Sequence, residues 1–273
     1  MKVASSLVRR WRWLFVVCVG AAVTATGALV HADGEVLPGY RWIAAAHISE
    51  TLAQRISPPA GFVRVEAPAG SFARFLRHMP VRPAGTPVRL FNGEPKWNQS
   101  VHAAVFDVDV ERRDLQQCAD AVMRLRAEYL FSAGRAAEVC FNNVSGRPMC
   151  WRDHRGDGFR KYLSRVFAFA NSRSLYEQME KVRSVDGIEP GQVFIEPARN
   201  GRYGHAVLVM DVAKNARNER VFLLAQSYMP AQDIHLLKNP SNQALSPWYR
   251  LDDQSPLDTP EWTFPPDSLR RFP

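Results

Sequence analysis

The sequence has no internal repeat and no low-complexity tract, so a repeat array is excluded and ordinary globular organisation is left. It also lacks a stripe or patch of Lys and Arg. The formal charge is +8 over 273 residues, but Lys2, Arg9, Arg10 and Arg12 sit in the first 32 residues, which contain no acid. Without that segment the charge falls to +4, and nothing calls for nucleic acid as a partner. Metal-ligand clusters are missing too. Asp107 and Asp109 lie two apart on an expected strand and share a face, yet no further ligand lies near them in sequence, so neither a metal nor any other cofactor is expected. Cysteine is scarce, with four in the chain, and one of these, Cys18, falls in the N-terminal segment.

That segment is the first positive feature. Basic residues precede an apolar run from Trp13 to Val30, and Val30-His31-Ala32 offers a cleavage site, so residues 1–32 read as an export signal. An uncleaved anchor is the alternative, since Trp11 to Val30 is long enough to span a bilayer. The expected location is periplasmic or secreted, with membrane contact only through an uncleaved signal. Residues 33–57 form a leader or linker, and residues 58–273 make one globular domain large enough for a sizeable core. Cys140 and Cys150 flank the turn Ser145-Gly146-Arg147-Pro148; they are either a disulfide or two buried thiols, and Cys118 is unpaired in both cases.

The centre of the chain is a β-meander. Gln192–Ile195, Ala206–Val212 and Val221–Gln226 are apolar runs separated by Gly, Pro, Asn and charge, as buried strands are. His205 opens the second run after a glycine, and Gln226 closes the third. A register with Val212 opposite Val221 puts His205 and Gln226 on one face, whereas a slip of one residue brings Ser227 there instead. Ser71 caps a helix carrying Phe72, Phe75, Leu76 and Met79. Asn92-Gly93 marks a hairpin with two positive φ angles, and Lys96 after it reads as a solvated turn lysine. Asp114 is expected to cap a helix whose buried stripe is Leu115, Cys118, Val122, Leu125 and Tyr129, with Asp120, Arg124 and Arg126 on other faces. Helices are also expected over Lys161–Ala170 and Leu175–Val182, and the Pro-rich, aromatic tail after Leu237 either wraps the core or rims a groove.

The blocks DLQQCADAVMRLRAEYLF, GHAVLVMDVA, LLAQSYMPAQDIHLL, SPWY and TPEWTF, in this order, closely resemble a bacterial domain-of-unknown-function family over residues 58–273. That resemblance implies no activity. More loosely, Cys118 early in a helix, Gly191–Phe194, Gly204-His205 and Gln226 follow the order found in papain-like cell-wall hydrolases of the NlpC and CHAP type. What the two resemblances imply is an α+β fold, an antiparallel sheet with packed helices around a papain-like core with N-terminal β additions.

The second resemblance also implies a cysteine hydrolase acting on an amide or ester in the cell envelope, with a peptide or peptidoglycan-derived substrate. Cys118 is the expected nucleophile and His205 its base, with Gln226 orienting the imidazole; Gln116, Gln117 or helix-start amides would serve the oxyanion. A buried thiol in an apolar stripe is more often inert packing, so the competing reading is a catalytically silent binding or assembly module. His102 and His235 read as core or surface residues, with His235 an alternative to Gln226.

Overall fold

The computed structural model describes residues 39–43 and 47–273, together with the backbone of two short strands, β1 (Ala22–Val23) and β2 (Leu29–Val30), which pair antiparallel. These two belong to a unit spanning Met1–Leu37, and a second unit spans Pro38–Pro273. The rest of the export segment expected over 1–32 lies outside the described residues. Among the described residues no helix is long and apolar enough to cross a membrane.

In chain order the second unit contains α1 (Leu52–Arg55), β3 (Val63–Arg64), α2 (Phe72–Arg77), β4 (His102–Val105), α3 (Cys118–Ser132), β5 (Cys140–Asn142) and β6 (Pro148–Cys150). There follow α4 (Phe159–Phe169), α5 (Ser172–Gln178), β7 (Glu180–Lys181), β8 (Val193–Glu196), β9 (His205–Lys214) and β10 (Arg220–Gln226). The chain ends with β11 (His235–Leu237), β12 (Leu257–Asp258), β13 (Thr263–Phe264) and β14 (Leu269–Arg271). One antiparallel sheet runs β4-β11-β10-β9-β8-β14-β7, with β3 added along β9. The fold is therefore α+β, and β8-β9-β10 is the expected meander.

Alternation along β9 divides the interior. Ala206, Leu208 and Met210 face the helices and pack with Cys118, Val122 and Leu125 of α3 in the larger core. Val207 and Val209 face the tail, packing with Phe222, Tyr249 and Phe264 in a smaller one. Both faces of β9 are thus covered, which is why it reads as a continuous apolar run.

The register of β9 against β10 changes part-way. Val212 pairs with Phe222 and Asp211 with Leu223, but Val209 pairs with Leu224 and Leu208 with Ala225. Met210 is the extra residue of a β-bulge. Near the turn the ladder is one residue off the expected pairing; past the bulge it takes the expected one. Asp211 at the bulge is fully buried and neutralised by Arg64 of β3 at 2.7 Å and Arg77 of α2 at 2.8 Å.

Helix α3 corrects the expected N-terminus. Gln117, in extended conformation, is the N-cap, and the Asp120 carboxylate reaches back to the Gln117 amide at 3.1 Å. Asp114 is no cap because its carboxylate is used elsewhere, accepting from Gln117 Nε2 at 3.0 Å and from the Ala231 amide at 2.7 Å. Cys118 is consequently the first helical residue. Asp120 and Arg124 are buried as well, Arg124 between Glu128 Oε1 at 2.8 Å and Gln116 Oε1 at 3.0 Å.

Of four smaller points, the helix cap and the turn are revised, and the aspartate partners and the cysteine pairing, left open by the sequence, are resolved. Asn171, rather than Ser174, caps the fifth helix, accepting from the Arg173 and Ser174 amides. Of Asn92 and Gly93 only Gly93 has a positive φ, 87°. Asp107 and Asp109 bind different partners, Arg82 and Arg160. Cys140 and Cys150, opposite each other in the β5-β6 hairpin, form a disulfide, which leaves Cys118 free and buried.

Candidate functional site

The polar residues of the meander gather at one end of the sheet. Gly204 sets the approach to β9: a Cβ there would lie 2.3 Å from the Glu196 carbonyl, 2.3 Å from Ser172 Oγ and 2.5 Å from the Ala198 amide nitrogen. Only glycine lets the first residue of α5 press this close to the strand entry. His205 follows, directly opposite Glu196 of β8. By alternation its side chain lies on the tail face, where Tyr228, Trp262 and Phe264 surround the ring at centroid distances of 4.9, 5.2 and 5.7 Å. The tail therefore wraps the core and seals His205 completely.

The bulge restores the register that brings Gln226 to the same face. His205 Nε2 and Gln226 Oε1 are 2.8 Å apart. Gln226 Nε2 donates to Glu261 Oε2 at 2.7 Å and faces His235 Nε2 at 3.3 Å, while His235 Nδ1 meets the Asp233 carbonyl at 2.8 Å. These partners fix every proton. A carbonyl can only accept, so His235 carries its hydrogen on Nδ1 and accepts at Nε2. Both amide hydrogens of Gln226 are then used, its oxygen faces His205, and Nε2 of His205 must be the protonated nitrogen. Nδ1 keeps a lone pair, is buried and has no hydrogen-bond partner.

Glu261 is held in turn by Lys96 Nζ at 2.7 Å. Lys96 is 7 % exposed and lies over the Tyr228 ring, which corrects the solvated turn lysine of the sequence reading. An ammonium loses its hydration there only because a carboxylate and an aromatic face replace water. His235 sits behind Gln226 and does not replace it. His102 is half-buried, its ring 6.2 Å from that of His235.

Cys118 reaches the same strand end from the helix layer. Its sulfur lies 3.9 Å from the Gly204 carbonyl, and this contact goes to the backbone preceding His205, not to the imidazole. The structure thus joins His205 and Gln226 directly and sets Cys118 against the strand entry. Gln116 is buried with its oxygen on Arg124, which leaves Nε2 without a partner; Gln117 is committed to Asp114. Ser227 ties the two sides together, its hydroxyl 3.0 Å from the Gln116 carbonyl. Cys118 also lines a cleft of about 570 Å³ with Asp114, Gln117, Asn171, Arg202 and Gly204. A larger cavity at the far end of the sheet, near Arg217 and Arg250, has no thiol in its lining.

Burial raises the Cys118 thiol to about 12, and the neighbouring Asp120 adds to the shift. Burial lowers the His205 imidazole to about 4, against a smaller opposing effect of the Gln226 hydrogen bond. At neutral pH the resting groups are a thiol and a neutral imidazole. Asp120 itself, desolvated beside the thiol, is held well above the usual carboxylate range. Among the described residues no group of three or more His, Cys, Asp or Glu converges as a metal site.

Sequence reasoning missed Glu261 and the burial of Lys96. Glu261 stands in the TPEWTF block, but only the folded tail brings it across 35 residues to Gln226.

A family model described as "Domain of unknown function (4846)" matches residues 52–156 and 150–271. The chain belongs to that family. No curated protein and no solved structure matches it.

Proposed function

Starting from a family without an assigned activity, we propose that this member is a papain-like thiol hydrolase of amides or esters, exported to the cell envelope. One observation carries the reading: the Glu261–Gln226–His205 chain fixes the imidazole so that its only free lone pair is a buried Nδ1 at the entry of β9, and the Cys118 sulfur touches the Gly204 carbonyl of that same entry from the opposite face of the strand. Cys118 Sγ attacks the substrate carbonyl carbon while its proton passes to His205 Nδ1, a transfer for which the imidazole must first turn round the strand entry from the tail face. The carbonyl electrons move to the oxygen, for which Gln116 Nε2 is an uncommitted donor. His205 then gives its proton to the leaving nitrogen or oxygen as that bond breaks, and water hydrolyses the thioester by the reverse proton path. Because both groups rest neutral, the proton moves during attack, without a preformed ion pair. The N-terminal segment and the disulfide, a bond that persists in oxidising compartments, support the location, and a peptide or peptidoglycan-derived substrate fits it.

The test is intact-mass analysis after incubation with p-nitrophenyl acetate. A single acetyl group on Cys118 is expected, with formation slowed on the order of 100-fold or more in His205→Ala and abolished in a Cys118→Ser variant that keeps its melting temperature. Acylation unaffected by His205→Ala overturns the proposal. The second reading, a silent binding module, is favoured by the near-complete burial of Cys118, 6 % exposed. It predicts no adduct in the folded protein.

A further inference from the structure

The cleft floored by Cys118 is bounded by a tight turn. Arg199 and Arg202 exchange both backbone hydrogen bonds, N to O at 3.2 and 2.9 Å, and the two residues between them, Asn200 and Gly201, have φ of 51° and 75°. This pattern is that of a type I′ turn, and Asn-Gly suits it. Facing residues of such a turn project their side chains from the same face, so Arg199 and Arg202, both exposed, leave the turn together. The turn is rigid at its base, where the Ala198 amide donates to Ser172 Oγ at 3.1 Å and Gly204 is wedged against it.

The turn forms a ridge between two clefts. Arg199, Asn200, Arg202 and Tyr203 line both the Cys118 cleft and a neighbouring one of about 1010 Å³ bounded by Trp262. The acids around both clefts already have partners. Asp114 accepts from Gln117 and Ala231, and Asp120 from the Gln117 amide. Glu196 accepts from Trp262 Nε1 at 3.0 Å, and Asp267 pairs with Lys181 at 3.2 Å. Arg173, at the cleft edge, is taken by Glu177 at 2.8 Å. Among the described residues neither Arg199 nor Arg202 has a carboxylate partner; Arg199 lies 5.9 Å over the Tyr176 ring. Two arginines on one turn, without carboxylate partners and lining the cleft that Cys118 also lines, can converge on the oxygens of an anion.

We infer that the substrate carries an oxyanionic group, carboxylate or phosphate, which Arg199 and Arg202 hold beside the bond presented to Cys118. This rests on the hydrolase reading for the word substrate, but the anion subsite stands on its own geometry. Its test uses the full chain with ¹⁵N-labelled arginine, titrated separately with N-acetylglutamate, inorganic phosphate and the neutral control N-acetylglutaminamide. Saturable shifts of the Arg199 and Arg202 Nε–H signals are expected with at least one of the anions, about fivefold tighter than with the neutral amide, the sum of two solvent-screened pairs. The Arg202 signal should report about twofold weaker binding in Arg199→Gln, and the Arg199 signal likewise in Arg202→Gln, since one of the two solvent-screened pairs is lost and neither exposed side chain contributes to the backbone of the turn. Tighter binding of N-acetylglutamate identifies an acidic peptide as the source, and tighter binding of phosphate a phosphorylated one. No saturable response, an equal response to the neutral amide, or a response unchanged in both single variants overturns the inference. Cys118→Ser should bind the anion as the native chain does, so anion binding without an acyl adduct sinks the hydrolase reading alone, and an adduct without anion binding sinks this one alone.

Discussion

At the scale of single residues, burial decides protonation. His205 and His235 are fully enclosed and are lowered from an ordinary 6.5 to about 4 and about 3. Above pH 6.5 both are neutral whether the chain is folded or not, and there is no penalty. Below that the unfolded chain takes up protons the folded chain refuses, so stability falls as the pH drops from about 6.5 towards 4. Urea midpoints across this range should decline for the native chain and decline less steeply for His205→Gln. An equal slope in the variant would mean that His205 is reachable by protons in the folded state. Cys118, raised to about 12, makes the complementary prediction. Its alkylation by iodoacetamide, followed by mass spectrometry, should still be accelerating at pH 10, where a free thiol has levelled off near its own pKa.

At the scale of elements, the bulge in β9 is the feature that composition and periodicity could not supply. The apolar run from Ala206 to Val212 announces a buried strand, and the parity rule says that one register unites His205 with Gln226 and the next does not. Which register holds depends on Asp211, whose guanidinium partners come from α2 and β3, 134 and 147 residues away in sequence. Asp211→Asn removes the charge that neutralises Arg64 and Arg77 in a closed site, and a loss of about 3–5 kcal/mol is expected by urea denaturation. A loss below about 1 kcal/mol would show that water compensates the two arginines. The start of α3 was half legible for a similar reason: the sequence points to Asp114 as the cap, and the contact between Asp114 and the Ala231 amide decides against it.

At the scale of the whole molecule, the sheet, the meander and the pairing of His205 with Gln226 were legible because each is written in local pattern or order. Lys96 and Glu261 were not, because their roles arise only when a hairpin from the first half and the tail close over the strand ends. The β5-β6 hairpin, tied by Cys140–Cys150, lies outside the main sheet. Closing a loop of 10 residues' separation stabilises by roughly 2–3 kcal/mol in the chain-entropy picture. Reduction should lower the melting temperature measurably while leaving the anion response of Arg199 and Arg202 in place, since neither end of that hairpin borders their turn.

The bulge also bears on how this strand tolerates changes of length. In β8 or β10 the loss of one residue would turn over every side chain beyond it. At Met210 it would not, because Met210 has no partner of its own and the residues on either side, Val209 and Asp211, already oppose the adjacent Leu224 and Leu223. Excising Met210 should give a regular ladder in which His205 still faces Gln226, at the expense of one buried side chain, roughly 2–5 kcal/mol. This buried strand thus contains a position where a deletion is a milder lesion than it would be two residues earlier, and comparing folded yields of the Met210 and Leu208 deletions would show it.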